Sequence, residues 1–407
     1  RQISNKVNTA TISMTIISLM LLLTIIILSV SISMSQSTNQ DIAENNLSDF
    51  TIKKSNYSYS DNSEKKILNN GLIDDFALKN INLEKYATKY SEYNKYIFND
   101  EKLNGKNVFD KIQMNKLIEK YGSDMVNFDY EFTFIKESEY NKLMELYNKE
   151  ELKVNLKKDE YVILSDVDVI NDLVVATLKN KTQINVNGCK LTPKCETPIS
   201  VAIENADMNS VMSEIVIKDE LINENTLVES VICGNFIKND EITIKKFQEY
   251  MKNNYLTSLN ENIFCYFNTA FEMKNTSVGI SAIMTFLGLY LGIIFAITSA
   301  AVLALIQLSE SSDNKERFAV LEKIGADEKM LNMALFKQIA IFFLLPLVIA
   351  LIHSVVGLSE VNKLISIFGN IDLTSNILII TLFIIAVYGG YFIVTYLCSK
   401  NIIHEKR

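Results

Sequence analysis

Residues Ser277–Gly325 read SVGISAIMTFLGLYLGIIFAITSAAVLALIQLSESSDNKERFAVLEKIG, and this stretch decides the fold. Its first part belongs to a run, Thr276–Ser309, that contains no charged residue. Because a helix of about 20 apolar residues crosses the hydrocarbon core of a bilayer, this run is long enough to span a membrane. The run ends in a group of charged residues: Glu310, Asp313, Lys315, Glu316 and Arg317.

Behind these charges, apolar side chains recur at the spacing of one helical face. They are Phe318, Val320, Leu321 and Ile324. The spacing predicts a short amphipathic helix. Gly325 follows at the point where a helix C-terminus favours a left-handed residue. A spanning helix that leads into a short amphipathic helix offers an attachment point for a soluble partner.

The composition of the 407-residue chain is divided between a polar block and apolar segments. Residues 36–275 carry 39 Asp and Glu against 29 Lys and Arg, and the whole chain has a net charge of −8. The acidic balance of the block disfavours nucleic acid as a partner. It is suited to attracting a cationic peptide, and it equally keeps an exposed domain soluble.

Three further uncharged or nearly uncharged segments accompany the opening run, so four spanning helices are predicted. Val7–Gln40 and Thr276–Ser309 each exceed the bilayer thickness, which predicts that both rise beyond the membrane as stalks able to transmit motion. The sequence thus predicts an α-helical membrane protein with four transmembrane helices and a large α+β extracellular domain inserted between helices 1 and 2. The predicted order is 1–35 cytoplasmic start and helix 1, 36–275 extracellular domain, 276–309 helix 2, 310–337 cytoplasmic coupling loop, 338–358 helix 3, 359–372 outer loop, 373–399 helix 4 and 400–407 cytoplasmic tail.

Lys and Arg in the short connections set the orientation of a multi-pass protein. The N-terminus carries Arg1 and Lys6, residues 310–337 carry five basic residues, and the tail carries three, whereas residues 359–372 carry only Lys363. This distribution predicts a plasma-membrane protein with both termini and the 310–337 loop in the cytoplasm. The acidic domain is then extracellular.

Residues 36–275 contain patterns of both helix and strand. Helices are predicted at Leu83–Phe98, Lys111–Tyr121, Glu137–Tyr147 and Lys245–Tyr255. Strands are predicted at Phe128–Phe134, Tyr161–Leu164, Leu173–Leu178, Gln183–Val186, Ile199–Ile203, Ser213–Ile217, Val228–Gly234 and Glu241–Ile244.

The motifs of common enzymes are missing from the sequence. There is no phosphate-binding G-x-x-x-x-G-K-[ST] loop, no H-E-x-x-H and no G-x-S-x-G. Only His353 and His404 are present, which excludes a site built from several histidines. We therefore predict no enzymatic chemistry, no cofactor and no metal site in this chain.

Three features remain as weaker candidates. Cys189 and Cys195 bracket a loop and either form an extracellular disulfide or remain thiols. Pro346 lies inside the third span, where neighbouring helices compensate for a lost backbone hydrogen bond. His353, near the outer end of that span, either titrates or binds a headgroup or partner helix, or is a polar helix-end residue bonded to a neighbour.

Several segments together resemble the FtsX-like permeases of ABC transporters, and most closely the BceB-type permeases of bacitracin resistance. The matching segments are RQISNKVNTATISM at the start, Glu137–Leu164 in the domain, Leu289–Phe295 (LYLGIIF), Glu316–Gly325 (ERFAVLEKIG) and Pro346–Ser354 (PLVIALIHS). Permeases of this type have ten spanning helices. The resemblance therefore implies that this chain is the C-terminal part of a longer permease, whose N-terminal half is a partner.

The resemblance also implies a role for the segment after the second span, which corresponds to the coupling helix that docks on the ATPase. Phe318, Leu321 and Ile324 are then apolar anchors that end at Gly325. Glu316, Arg317 and Lys323 supply complementary charge at the rim. The alternative is a helix that lies on the membrane surface, but such helices favour Lys and Arg over mixed charge.

The function implied by the resemblance is that of a permease without its own ATPase, driven by ATP and Mg²⁺ in an ABC ATPase partner. BceB-type permeases act on lipid-bound antimicrobial peptides and pair with a sensor histidine kinase. Other FtsX-like roles, in lipoprotein transport or control of wall hydrolases, are the nearest alternative. A sensory or scaffold membrane protein without transport is the alternative from a different class.

Overall fold

The computed structural model describes two compact units. The sheet unit comprises Thr38–Gly279, and the helical unit comprises the chain up to Ser37 and most of the chain from Ile280 onward. The described residues are 2–55, 67–98, 103–123, 126–207, 210–259, 263–365 and 377–404. Parts of the predictions lie outside these residues, namely Arg1, Lys406, Arg407, residues 366–372 of the outer loop and the start of the fourth span at 373.

The described residues form ten α-helices, four of which are long and apolar enough to cross a membrane. The helices are α1 Gln2–Asn45, α2 Leu72–Leu78, α3 Gly105–Val108, α4 Lys111–Tyr121, α5 Glu137–Leu146, α6 Asp168–Lys179, α7 Glu241–Asn254, α8 Ala270–Lys323, α9 Glu328–Ile365 and α10 Ile377–His404. The four membrane-length helices are α1, α8, α9 and α10, and they agree with the four predicted spans.

Helix α8 continues where the sequence predicted a break. It contains 54 residues and is about 81 Å long at 1.5 Å per residue, against about 30 Å for the bilayer core. The charged stretch 309–323 contains neither Gly nor Pro, and Glu, Lys and Arg are good helix formers, so nothing interrupts the helix. The prediction of a separate short amphipathic helix was therefore wrong, because its residues form the last turns of α8.

Helix α9 likewise extends past both predicted ends of the third span. It begins at Glu328 and ends at Ile365, so residues 328–337 are helix rather than cytoplasmic loop and residues 359–365 are helix rather than outer loop. Pro346 lies buried inside it without ending it.

Small residues allow α1 and α8 to pack closely in the helical unit. A Cβ atom at Gly288 would lie 2.2 Å from Ser31 Oγ, and one at Gly292 would lie 2.7 Å from Leu28. The Ser31 hydroxyl donates a hydrogen bond of 2.7 Å to the carbonyl of Met284. This is the close approach of backbones that small residues four apart permit between membrane helices.

The sheet unit is built on a nine-stranded mixed sheet in the described residues. The strands are β1 Phe50–Ser55, β2 Ala87–Tyr96, β3 Phe134–Lys136, β4 Glu160–Leu164, β5 Ile184–Val186, β6 Cys189–Pro193, β7 Glu214–Ile217, β8 Leu227–Phe236 and β9 Phe264–Thr269. Their order in the sheet is β5-β6-β4-β7-β3-β2-β8-β1-β9. Strand β8 pairs antiparallel with β1 on one edge and with β2 on the other.

Helices cover both faces of the sheet around β8. Val231 and Cys233 belong to a core cluster shared with Tyr140 of α5. Ile232 faces the other way and joins a cluster with Phe76 of α2, together with residues of α7. The alternation along β8 is the two-residue period expected of a strand buried on both faces.

The structure confirms some of the predicted elements in the sheet unit. The helices at Lys111–Tyr121 and Glu137–Tyr147 are confirmed, as is most of the helix at Lys245–Tyr255. The confirmed strands are those at Tyr161–Leu164, Gln183–Val186, Ser213–Ile217 and Val228–Gly234.

The predictions of five other elements were wrong. Leu83–Phe98 is mainly strand β2, Leu173–Leu178 lies in helix α6, and Glu241–Ile244 is the first turn of α7. Asp240 caps α7 by accepting a hydrogen bond of 2.7 Å from the Thr243 amide, a signal that favours a helix start over a strand. Phe128–Phe134 and Ile199–Ile203 are irregular apart from isolated bridges and the first residue of β3.

Cys189 and Cys195 are free thiols, so of the two alternatives the structure has the thiols and not the disulfide. Asn187 and Gly188, both at positive φ, make a two-residue hairpin turn that places Cys189 at the start of β6.

Candidate functional site

Helices α8 and α9 form a hairpin closed by a glycine turn. The amide of Ala326 donates to the carbonyl of Leu321 at 3.1 Å, and the amide of Gly325 donates to the carbonyl of Glu322 at 3.0 Å. Gly325 has φ +102°, as the sequence predicted for a helix end. This pair of hydrogen bonds is a Schellman motif, which reverses the chain within the four residues 324–327.

The apolar residues predicted as anchors differ in their exposure. Leu321 is 48% exposed and Ile324 is 78% exposed, and Val320 beside them is 54% exposed. Phe318 is half-buried and packs against the core of the helical unit. The ring of Phe318 therefore holds the hairpin to its own unit, while the other two side chains remain available to a partner.

Helix α9 adds two exposed methionines that the sequence analysis missed. Met330 is 67% exposed and Met333 is 55% exposed, whereas Leu331 and Leu335 on the opposite side are buried. The signal is the three-residue spacing of these methionines in residues 310–337, a segment predicted to be a loop. We call the five exposed apolar residues the hairpin patch: Val320, Leu321, Ile324, Met330 and Met333.

Charged side chains of both signs lie next to the hairpin patch in the sequence. Glu316, Arg317 and Lys323 are exposed, and the Arg317 guanidinium donates to Asn314 Oδ1 at 3.3 Å. Further exposed charges are Glu322 on α8, Asp327 in the turn, and Glu328 and Lys329 on α9. Exposed apolar side chains among charges of both signs are typical of a protein-binding surface.

His353 is exposed in the interior of α9, twelve residues before the helix ends at Ile365. The prediction that His353 lies near the end of the helix was therefore wrong. Its neighbour Ser354 is buried and donates its hydroxyl to the carbonyl of Leu351 at 2.8 Å. Among the described residues, no group of three or more potential ligands could hold a metal ion.

In the sheet unit, residues 204–207 form a joint between the ends of two long helices and the sheet. Asn46, one residue beyond α1, donates its side-chain amide to the carbonyl of Ala206 at 3.1 Å. Ser277 of α8 lies 3.4 Å from the carboxylate of Asp207. Asn205 bonds both the hydroxyl and the carbonyl of Ser48 at 3.1 and 3.0 Å.

The joint inserts Glu204 into a buried group of charges on the sheet. Lys53 lies 2.9 Å from Glu204 and 3.1 Å from Glu229, and Lys95 lies 2.9 Å from Glu229 and 3.2 Å from Glu214. We call these five residues the charge cluster. The attraction of the carboxylates outweighs burial and raises the pKa of Lys95 well above its ordinary value.

Glu139, at the start of α5, is a second buried carboxyl with altered acidity. Burial raises the pKa of Glu139 to about 7, although its Oε2 atom accepts a hydrogen bond of 2.7 Å from the Asn94 amide. The carboxyl of Glu139 therefore binds its proton more tightly in the folded protein than in the unfolded chain.

Replacing Glu139 with Gln is expected to raise the free energy of unfolding by about 1–3 kcal/mol above pH 7 and to change it little near pH 4. The folded-state pKa exceeds the unfolded value, so the wild-type carboxyl lowers stability as the pH rises from about 4 to about 7. Gln keeps an acceptor for the Asn94 amide and removes the titration. Denaturant unfolding of the full chain in neutral detergent at pH 4–8 measures this difference.

The control is Glu145→Gln on the same helix, because the Glu145 side chain is 68% exposed. It is expected to show the wild-type pH dependence. A constant difference between Glu139→Gln and wild type across the pH range would contradict a raised pKa at Glu139.

Four helices able to cross a membrane and an attached α+β unit define the class as a multi-pass membrane protein. Over 82 residues the chain is 30% identical to the ABC transporter permease protein YxdM of Bacillus subtilis (strain 168), covering 20% of this chain and 13% of that protein. Over 121 residues it is 28% identical to the uncharacterized ABC transporter permease YvcS of the same organism, covering 30% of this chain and 18% of that protein. No family model matches the chain.

The matched segments thus span less than a fifth of the length of either relative. Within that limit, these distant similarities support an ABC transporter permease family and a permease subunit for this chain.

Proposed function

We propose that this chain is part of an FtsX-like, BceB-type permease whose hairpin patch docks an ABC ATPase subunit. The observation that carries the proposal is a set of exposed apolar side chains, with Ile324 78% exposed, among exposed charges of both signs at the end of a spanning helix. The similarity to ABC transporter permeases supports the class of partner. ATP and Mg²⁺ belong to that partner.

The charge distribution supports a cytoplasmic hairpin and an extracellular sheet unit. Lys315, Arg317, Lys323, Lys329 and Lys337 lie on or beside the hairpin, which is the bias expected of the cytoplasmic side. The ATPase then meets the hairpin in the compartment that contains ATP.

The continuity of α8 supports mechanical transmission. The helix runs unbroken from Ala270 to Lys323, so displacement of the hairpin acts on a single rod. At the other end, Ser277 contacts the joint at residues 204–207, which also contacts the end of α1 through Asn46. ATP-driven movement of the hairpin would thus reach the charge cluster through Glu204, without a pore.

In this proposal the transporter confers resistance to antimicrobial peptides that are held on lipid intermediates. It also signals to a sensor histidine kinase. The acidic balance of residues 36–275 supports a cationic substrate. Lipoprotein transport or control of wall hydrolases is the alternative within the same family.

The test compares retention of the ATPase by wild type and by the double variant Leu321→Asp with Ile324→Asp. Two carboxylates in the hairpin patch are expected to reduce co-purification of the ATPase with the permease at least about tenfold, since buried unpaired charge at an interface costs several kcal/mol. Phe318 is left unchanged because it packs inside the helical unit.

The matched control is Ile112→Asp with Ile242→Asp, which places the same substitutions at residues 68% and 66% exposed in the sheet unit. This variant is expected to retain the ATPase, and circular dichroism verifies that both variants are folded. Equal retention by all three proteins would move the docking surface elsewhere. Failure of wild type to retain any ATPase would favour the scaffold alternative.

A further inference from the structure

Strand β2 has an open edge inside the sheet. Strand β8 pairs with β2 from Ala87 to Tyr96, whereas β3 pairs with its other edge only at Tyr96. In the part of the chain that the structure describes, no strand pairs with that edge between Ala87 and Lys95. Such an edge is a template for an additional strand.

The hydrogen bond of Asn94 identifies which backbone groups lie on the open edge. The amide of Asn94 donates to the side chain of Glu139 rather than to β8. Pairing with β8 is regular from Lys89 to Lys95, so peptide groups alternate between the two edges. The amides and carbonyls of Tyr90 and Glu92 therefore also lie on the open edge.

Two walls turn this edge into a groove of about 940 Å³. Helix α5 contributes Glu139, Lys142 and Glu145 on one side, and Ile73 and Glu84 lie on the other. The floor is the stretch 87–92 of β2, and we call the whole the edge slot. Adding an extended peptide as a strand to an exposed sheet edge is a recurrent mode of peptide recognition.

The charge of the lining indicates the chemistry of the ligand. Four glutamates, at positions 84, 92, 139 and 145, line the slot against two lysines, at positions 89 and 142. Glu84 and Glu145 are exposed, so their carboxylates are accessible to a ligand in the slot.

We propose that the edge slot binds an extended cationic peptide segment as an added β-strand. The open edge of β2 supplies main-chain hydrogen bonds, and the exposed carboxylates of Glu84 and Glu145 bind ammonium or guanidinium groups. Binding follows from the sheet unit alone. Only the further step, that the bound peptide is the substrate of the transporter, rests on the proposed function.

The test uses the purified full chain in neutral detergent, without an ATPase, so that it is independent of docking on the hairpin patch. The probe is a fluorescein-labelled hexapeptide that alternates Lys and Val and is amidated at its C-terminus, and binding is measured by fluorescence anisotropy. Two matched peptides are the same sequence N-methylated at alternate residues and a peptide with Glu in place of Lys. Both are expected to bind at least about tenfold more weakly, because one lacks backbone donors and the other is repelled.

The protein variants are Tyr90→Pro and its control Tyr90→Ala. Proline is tolerated at an open edge and removes the amide that pairs with the ligand. Tyr90→Pro is expected to weaken binding about tenfold, whereas Tyr90→Ala, which keeps the amide, stays within about threefold. Glu84→Gln with Glu145→Gln, both exposed, provides a second variant that should weaken binding and reduce its salt dependence.

Two results would overturn the proposal. One is equal binding of the parent and N-methylated peptides, which would reduce the interaction to general charge attraction. The other is absence of binding of the parent peptide at about millimolar concentration, the weak end of specific affinity. If the ATPase test fails while the peptide binds as expected, the assignment as a transporter is contradicted. The proposal that the edge slot binds a peptide is then retained.

Discussion

Replacing Lys95 with Met is expected to lower the free energy of unfolding of the sheet unit by about 3–5 kcal/mol. Lys95 is 7% exposed, and its ammonium lies within 3.2 Å of both Glu214 and Glu229. Removing the ammonium of Lys95 leaves the two carboxylates buried without their main partner. Lys53 is then the remaining cation of the charge cluster. Denaturant unfolding followed by circular dichroism at pH 7 measures the loss.

Lys89→Met is the matched control, because Lys89 lies on the same strand but is exposed. It is expected to change the free energy of unfolding by no more than about 0.5 kcal/mol. Adding Glu229→Gln to Lys95→Met should recover part of the loss, since the double variant has the same net charge in the cluster as wild type. Equal effects of Lys95→Met and Lys89→Met would mean that the charge cluster is hydrated rather than buried.

The loss is expected to shrink as the pH falls. The pKa of Glu229 is lowered because Lys95 and Lys53 outweigh its burial, so its stabilising contribution is present above the unfolded pKa and disappears as the pH falls through the folded pKa. In acid, the carboxylates of wild type are protonated and Lys95 no longer has charged partners. This dependence has the opposite sign to that of Glu139, so the two carboxyls are separable in one pH series.

The charge cluster also explains how the joint at residues 204–207 is held. Glu204 reaches Lys53 on β1, and the amide of Asn205 donates to the Thr51 hydroxyl at 3.1 Å. A segment with no strand of its own is thereby fixed to the centre of the sheet. Weakening the cluster should loosen the joint first, which is the point where the proposed transmission enters the sheet unit.

Hydropathy predicted the helical unit well because the bilayer imposes a single requirement. A spanning segment must be apolar for about 20 residues, and this is visible without tertiary information. The extent of the helices was less predictable. Charged residues such as Glu316 and Arg317 suggest the end of the spanning helix, yet their helix propensity carries α8 on to Lys323, just before the turn at Gly325.

The sheet unit was harder to predict because its strands are specified by their neighbours. Strand β2 reads ATKYSEYNKY, in which lysine and glutamate suggest a helix, but pairing with β8 and burial of Tyr93 and Lys95 determine the strand. Apolar runs such as Leu173–Leu178 fit a helix or a strand equally well, and the packing of α6 decides between them.

The candidate sites also contain some residues that local sequence predicts and others that depend on the tertiary structure. Local spacing predicted an apolar face with Leu321 and Ile324 and a helix end at Gly325, and these side chains are exposed beside the turn. It did not predict that Phe318, on the same face, packs inside the helical unit. Met330 and Met333 depended on where the turn lies. The edge slot depends on β3 being short, a property of strand pairing between residues 38 positions apart in the sequence, at Tyr96 and Phe134.

Gly288→Ala is expected to lower the stability of the helical unit by about 1–3 kcal/mol. The new methyl group would lie 2.2 Å from Ser31 Oγ and 2.3 Å from Ser31 Cβ, so rotating the hydroxyl away does not relieve the contact. Helices α1 and α8 must separate, which also breaks the 2.7 Å hydrogen bond from Ser31 to the Met284 carbonyl. Thermal unfolding in detergent, followed by circular dichroism, measures the change.

The matched control is Gly390→Ala on α10, where a Cβ atom meets nothing within 4 Å. Because Ala is a better helix former than Gly, this variant is expected to be as stable as wild type or slightly more stable. Ser31→Gly in the Gly288→Ala background exchanges the small residue between the helices and should restore part of the lost stability. If Gly288→Ala and Gly390→Ala unfold alike, α1 and α8 do not depend on close contact at Gly288. Helices α1 and α8 would then move independently of each other, and the proposed transmission would have to pass through α8 alone.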